Sequence, residues 1–244
     1  MSDQAPDFGH DPHMQETHPY LRPKDAATLI LLDRTGPVPK VLMGRRHTRH
    51  VFLPGKFVFP GGSVDRADRM IPVASELHPL TAERLMRCVT KPSATKARTL
   101  ALTAIRETFE ETGLLIGRAS DVAAQIPHGP WAAFAKAGIA PDLAVLHFVA
   151  RAVTPPHRPR RYDTRFFAVD ISAVTHRIER GAGADAELVE LNWVPVAEAS
   201  QLDLIPITKL VLRDLQEQLD AGFRRDLPVP YYRMLHGKRV RELL

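Results

Sequence analysis

The sequence holds a single cysteine, Cys88, in 244 residues. That excludes an internal disulfide and any cysteine-based zinc site, and it fits a reducing compartment. Nowhere does an apolar run approach the roughly eighteen residues of a membrane span, and the polar opening "MSDQAPDFGHDPH" has no signal-peptide core. The expectation is a soluble cytoplasmic chain with no membrane partner. Nor is basic charge gathered into one long helix. The net charge of +5 comes from separate clusters, "GRRHTRH" (44–50), "PPHRPRRYDTR" (155–165) and "HGKRVRELL" (236–244). They read as solvated surface or as contacts for a small anionic ligand, so nucleic acid is not the expected partner. No internal repeat or low-complexity tract is present.

What is present is a hydrophobic content of 44%, enough for a sizeable core. The first 22 residues are polar and proline-bearing and read as a flexible arm or a strap laid on the surface. A single domain is expected over 23–244. "AATLILLD" (26–33) and "KVLMGRR" (40–46) read as a hairpin around the turn chemistry of "TGPVP", and "KFVFPGG" (56–62) as a further short strand. A helical segment around "LTAERLMRCV" is followed by a long helix from about Thr95 to Thr112, stopped at Gly113. "APDLAVLHFVARAVTP", "TRFFAVDI" and "ELVELNWVPV" (187–196) read as strands, and 206–222 as an amphipathic helix with Leu210, Val211, Leu215 and Leu219 near one face. Strands on both sides of a central helix, with another helix at the end, give an α/β layered domain around a mixed sheet.

The long helix carries the chemistry. At about 100° per residue, Glu107, Glu110 and Glu111 fall near 0°, 300° and 40°, on one face, while Ala101, Leu102, Ile105 and Phe109 cluster on the other. Like charges so placed repel, at a few tenths of a kcal/mol per pair. Three carboxylates at i, i+3 and i+4 suit a hard divalent ion, Mg²⁺ or Mn²⁺.

"RETFEETGL" (106–114) resembles the second half of the Nudix box, which runs glycine, five residues, glutamate, seven residues, then Arg-Glu-apolar-any-Glu-Glu-any-Gly-apolar. The first half is displaced. Its acid position falls on Arg98 and its glycine position on Pro92, but upstream "FPGGSVDRAD" supplies Gly62, five residues and Asp68, with aspartate for glutamate. The box is thus split by an insertion over about 69–98. The split, together with "RRYDTRFF" (160–167), is similar to the branch that includes the coenzyme A diphosphatases.

The resemblance implies a Nudix fold, a mixed sheet sandwiched between helices with a helical insertion inside the box. It implies a hydrolase cleaving the pyrophosphate bond of a nucleoside diphosphate derivative, with coenzyme A or an acyl-CoA favoured. Glu107, Glu110 and Glu111 would hold Mg²⁺ or Mn²⁺, with Glu107 also a candidate base. Arg106 would orient a glutamate through a forked pair, and a loop carbonyl at Gly61 would join the ligands, Gly62 giving close backbone approach. Asp65 and Asp68 would support the loop or add an outer carboxylate. Arg45, Arg46 and His47 are candidates to reach a substrate phosphate, as are Arg161 and Arg165, with Tyr162 stacking on a base and Phe166 and Phe167 alternating between core and site. Glu187 or Glu190 would donate a further carboxylate. Trp193 reads as core, His147 as a satisfied sheet histidine, and Cys88 as a small hydrophobe in the inserted helix. A homodimer is a further implication of the family. The rival readings are a Nudix-fold nucleotide sensor without turnover and a basic nucleic-acid binder. Salt-steep nucleic-acid affinity would favour the latter.

Overall fold

The structure is a computed structural model and describes residues 19–49, 54–178 and 187–244. Most of the arm expected over 1–22 lies outside these residues. Tyr20 and Leu21, at its described end, lie against Arg161, whose guanidinium covers the Tyr20 ring at 4.9 Å and donates to the Leu21 carbonyl.

Among the described residues, thirteen strands and five α-helices follow in chain order. The first four strands are β1 (Lys24–Asp33), β2 (Lys40–Arg46), β3 (Phe57–Val58) and β4 (Gly61–Ser63). Then come α1 (Pro79–Met86) and α2 (Ala94–Thr112), with short strands β5 (Leu114–Ile116) and β6 (Arg118–Ala119), helix α3 (Ala132–Ala137) and β7 (Ile139–Ala140). The second half holds β8 (His147–Val153), β9 (Tyr162–Asp170), β10 (Val174–Arg177), β11 (Leu188–Pro195), α4 (Val196–Ala199), α5 (Pro206–Asp220), β12 (Pro230–Leu235) and β13 (Lys238–Leu243).

The main sheet runs β11-β2-β1-β9-β8-β12-β13, with β3 added to β2 and β4 to β1. It is mixed. β1 lies parallel to β9 from Lys24↔Tyr162 to Leu32↔Asp170 and antiparallel to β2, while β8 is antiparallel to β9 and parallel to β12. A strand buried on both faces reads as an unbroken apolar run, which is why "AATLILLD" lacks alternation. Ala27, Leu29 and Leu31 join the core under α2, whereas Ile30 and Leu32 join the core under α5.

Helix α2 begins at Ser93, whose hydroxyl accepts from the Lys96 amide, and ends at Gly113 in the left-handed region, φ 74°. Only a residue without a Cβ adopts that conformation at little cost. Among the described residues no helix is long and apolar enough to cross a membrane.

"HGKRVRELL" does lie at the surface, no residue of 238–243 being buried, and it forms β13, a strand the sequence did not announce, hairpinned to β12 through His236 and Gly237, both at positive φ (48° and 76°), as a two-residue primed turn requires. Three expectations are corrected. Cys88 is exposed and lies beyond the end of α1, not within it. Trp193 is 38% exposed because β11 is the outermost strand of the sheet. Phe166 and Phe167 are both core, one under each helix layer, so neither alternates into a site. His147 stacks on Phe223 with ring centroids 4.4 Å apart.

Candidate active site

The acidic face of α2 packs on β4, and glycine makes that approach possible. A Cβ on Gly61 would lie 2.6 Å from the Ala27 carbonyl oxygen and the Thr28 hydroxyl, and one on Gly62 would lie 2.5 Å from the Glu107 carboxyl carbon. The Gly61 amide donates to Glu111 Oε2 at 3.1 Å. These obstacles differ in kind. Gly61 would meet fixed backbone, so Gly61→Ala is expected to destabilise the fold, read as a lowered melting temperature. Gly62 would meet the end of a movable side chain, so Gly62→Ala is expected to fold but displace the Glu107 carboxylate, with turnover falling about 10²-fold.

Arg106 is the hub. Its side chain is 6% exposed and joins the two halves of the motif. Nε donates to Asp68 Oδ1 at 2.8 Å and Nη2 to Asp68 Oδ2 at 3.1 Å, while Nη2 also reaches the Ser63 carbonyl. Nη1 lies 2.9 Å from Glu107 Oε1 and 2.9 Å from Glu110 Oε2. The forked partner is therefore Asp68, and the two glutamates share the remaining nitrogen.

Asp68 is fully buried and further accepts from the Thr103 hydroxyl at 2.8 Å, the Trp131 indole N–H at 3.0 Å and the Asp65 amide at 3.2 Å. Its shorter reach is offset by the 3₁₀ turn Arg66–Met70, which carries it in against α2. Asp65 caps that turn, accepting from the Ala67 amide at 2.7 Å. Asp65 and Asp68 are thus loop and arginine supports.

Glu187 completes the acidic surface. It pairs with Arg46 Nη2 at 2.6 Å and lies close enough to Glu107 and Glu111 to raise both of their pKa values. Burial, with the charges of Glu110 and Glu187, pushes Glu107 up to about 7 against the pull of Arg106. Burial and then the charges of Glu187 and Glu107 push Glu111 well above the usual carboxylate range, against the Gly61 amide and Arg46. Five carboxylates, Asp68, Glu107, Glu110, Glu111 and Glu187, therefore face two guanidinium groups, Arg106 and Arg46.

Among the described residues, no three carboxylate, histidine or cysteine side chains already converge as a ligand set. The expectation of a cluster held ready is corrected: Glu107 and Glu110 are drawn to Arg106, and Glu111 to the Gly61 amide. The donor chemistry nonetheless fits a hard cation. All donors are oxygens, the charge is uncompensated, and a side-chain-free cradle lies beside them.

A pH dependence follows. Because the folded chain favours protonated Glu107, that group's contribution to stability is intact below the unfolded value of 4.5 and lost as pH rises through about 7. The shift corresponds to roughly 3 kcal/mol. Metal-free protein is expected to melt at lower temperature at pH 7.5 than at pH 5 if other groups are held equal, and saturating Mn²⁺ should recover more at pH 7.5. Melts with and without Mn²⁺ in matched buffers check this.

The other candidates are placed unevenly. Arg46 and Glu187 reach the carboxylates. Arg45 and Glu190, 3.9 Å apart, lie on the opposite face of the sheet, the side of Val41 and Met43 under α5. Arg165 is 1% exposed, donating to Asp25 Oδ1 at 2.9 Å and the Asp163 carbonyl at 2.8 Å, with Asp163 Oδ2 3.1 Å away. Asp25 also takes Lys96, eleven residues before Glu107 on α2 and so roughly 16 Å along the axis. Arg161 is buried against the Thr154 and Leu21 carbonyls, and the Tyr162 amide donates to the Thr154 hydroxyl. Phosphate contacts for Arg161 and Arg165 are corrected: both guanidinium groups are spent knitting the Lys24 end of the sheet.

Sequence reasoning missed Thr103 and Trp131. Thr103 is one turn before Arg106 on the helix, a readable spacing, but nothing near Trp131 announces a contact 63 residues away with Asp68.

No protein-family model matches the chain. Solved structures do resemble it. A Nudix hydrolase from Alicyclobacillus acidocaldarius is 28% identical, with TM-score 0.59 over 79% of this chain and 90% of its own. The Nudix domain of Shewanella oneidensis NrtR, complexed with ADP ribose, is 14% identical with TM-score 0.45 over 86% of this chain and 94% of its own. A MutT protein from Methanosarcina mazei Go1 is 14% identical with TM-score 0.42 over 81% and 96%. The first likeness, with the mixed sheet between helix layers, shows the Nudix fold.

Proposed function

We propose that this Nudix-type hydrolase uses Mg²⁺ or Mn²⁺ to cleave the pyrophosphate bond of a nucleoside diphosphate joined to a second group, with coenzyme A or an acyl-CoA as the favoured substrate. The enzyme class rests on the fold and on the 28%-identical hydrolase. The observation that carries the finer reading is the Arg106 fork, which ties buried Asp68 to Glu107 and Glu110 beside a strand stripped of side chains at Gly61 and Gly62.

In this reading Glu107, Glu110 and Glu111 would hold the ion, with the Gly61 carbonyl as a further oxygen, and the chemistry gained there would be charge neutralisation at the phosphoryl oxygens and a template for in-line attack. Glu107 would also be placed to accept a proton from the attacking water. Arg106 holds Glu107 and Glu110 in place and does not touch substrate. Arg46, paired with Glu187, is the second guanidinium at the acidic surface and the candidate for a substrate phosphate. On the same side of the sheet, Leu191 and Trp193 stand exposed opposite Gly44 and Leu42 on the edge strand, an apolar ledge for the remainder of the substrate.

The preference for coenzyme A is supported by the split between Asp68 and α2, since the buried arginines of "RRYDTRFF" stabilise the sheet. A panel of coenzyme A, acyl-CoA, ADP-ribose, NADH and nucleotide sugars with Mg²⁺ or Mn²⁺, scored by product mass, tests it. Two phosphomonoester products from coenzyme A are expected. Turnover of another compound alone would overturn the substrate, and binding without turnover on any would overturn the enzyme in favour of a sensor.

A further inference from the structure

Trp131 stands at the start of α3, 63 residues along the chain from Asp68, yet its indole N–H donates to Asp68 Oδ1 at 3.0 Å. The side chain is fully buried. Its ring is fixed from behind: the centroid lies 4.9 Å from that of Phe134, which in turn meets the Phe109 ring edge-on at 5.5 Å. Phe109 sits on α2 between Glu107 and Glu110. The indole therefore bridges the turn that carries Asp68 and the helix that carries the glutamates. Among the described residues it is the one donor to Asp68 that comes from neither α2 nor the turn itself.

The two oxygens of Asp68 are unequally held. Oδ2 accepts from Arg106 Nη2, the Thr103 hydroxyl and the Asp65 amide, whereas Oδ1 accepts from Arg106 Nε and Trp131 alone among the described residues. Without the indole, Oδ1 is held only by the arginine it has to hold, and the carboxylate plane can turn about its soft terminal torsion. That plane sets the plane of the guanidinium, because a fork of two parallel bonds aligns them. Nη1 of the same guanidinium lies 2.9 Å from both Glu107 Oε1 and Glu110 Oε2, so a turn at Asp68 is passed to both glutamates. Packing alone calls for no nitrogen here. A phenylalanine fills most of the same space, and a buried N–H is costly unless an acceptor meets it.

We propose that Trp131 is a positioning residue for the hydrolysis, setting Glu107 and Glu110 through Asp68 and Arg106 without touching substrate. This role rests on the hydrolase reading above. Trp131→Phe keeps an aromatic ring and removes the donor, while Leu143→Ala removes buried volume from the same core and no donor to Asp68. Both full-length variants are compared with wild type well below their melting transitions, in steady-state rates on a compound that wild type cleaves and in Mn²⁺ affinity. Trp131→Phe is expected to lower kcat about tenfold with KM unchanged and to weaken Mn²⁺ several-fold, whereas Leu143→Ala lowers the melting temperature and keeps kcat within about twofold. The kcat losses from Trp131→Phe and Asp68→Asn should be less than additive, since the first acts through the second. Wild-type kcat and Mn²⁺ affinity in Trp131→Phe, additive losses, or an equal kcat loss in Leu143→Ala overturns the role and leaves the hydrolase reading standing. Wild type that neither turns over any pyrophosphate compound nor binds Mn²⁺ removes that reading, and the role with it. Should Trp131→Phe not fold, benzothienylalanine at the same position, with sulfur in place of the indole N–H, makes the same comparison at unchanged shape.

Discussion

Glu111→Gln is expected to lower turnover about 10²- to 10³-fold while leaving the metal-free fold as stable as before, or slightly more so. Both halves come from the same geometry. Glu111 is buried, and its charged form is opposed by burial and by Glu187 and Glu107. A neutral amide relieves that repulsion, and its oxygen can still accept from the Gly61 amide, now 3.1 Å from the carboxylate. What the amide lacks is the charge that binds a divalent ion. The apolar side of α2, where Leu102 and Ile105 are fully buried, is untouched. Steady-state rates at saturating Mg²⁺ and a thermal melt without metal check the pair. Unchanged turnover in a folded variant would remove Glu111 from the site.

Asp68→Ala is expected to do the reverse, with stability falling first. It strands the Arg106 guanidinium, 6% exposed, without its main counter-charge, and it leaves the Thr103 hydroxyl, the Trp131 indole and the Asp65 amide without their acceptor. Breaking a buried pair from one side costs about 3–5 kcal/mol. For a chain of this size that is a fall in melting temperature of roughly 10 °C. Asp68→Asn keeps the shape and part of the acceptance but loses the charge, and should fall between wild type and alanine. Turnover should drop in both, because Arg106 no longer sets Glu107 and Glu110. Differential scanning calorimetry beside rate measurements separates the effects. A variant with wild-type stability would contradict the role given to Asp68.

The acidic face of α2 was legible because a helix repeats every 3.6 residues, so Glu107, Glu110 and Glu111 had to share a side with Arg106 nearby. Gly62 and Asp68 were legible by their spacing, despite the intervening segment. What spacing could not convey was where charge would be spent. Arg165 reads as a phosphate ligand, yet Asp163 stands two residues earlier on the same side of β9 and, with Asp25, meets the Arg165 charge, while Arg151 holds Asp163 from its other side. That alternation was available and outweighs the basic look of the stretch.

Other features depended on contacts far apart in the chain. Trp131 meets Asp68 only after α3 packs under α2, and Arg46 meets Glu187 only once β11 joins the sheet edge. The β12–β13 hairpin was hidden because its outer strand is rich in lysine and arginine and its turn is His-Gly, a less familiar signal than Asn-Gly. Trp193 looked like core because a tryptophan in a strand usually is, but position at the edge leaves one side open.

The central claim is that Glu107, Glu110 and Glu111 together hold a divalent cation. Its most direct test is Mn²⁺ binding to the full chain, followed by electron paramagnetic resonance at pH 7.5, in wild type and in Glu107→Gln, Glu110→Gln and Glu111→Gln. The account predicts saturable binding, displaced by Mg²⁺ and weakened about tenfold or more in each variant; equal affinity in wild type and all three variants, with the fold intact, would contradict it.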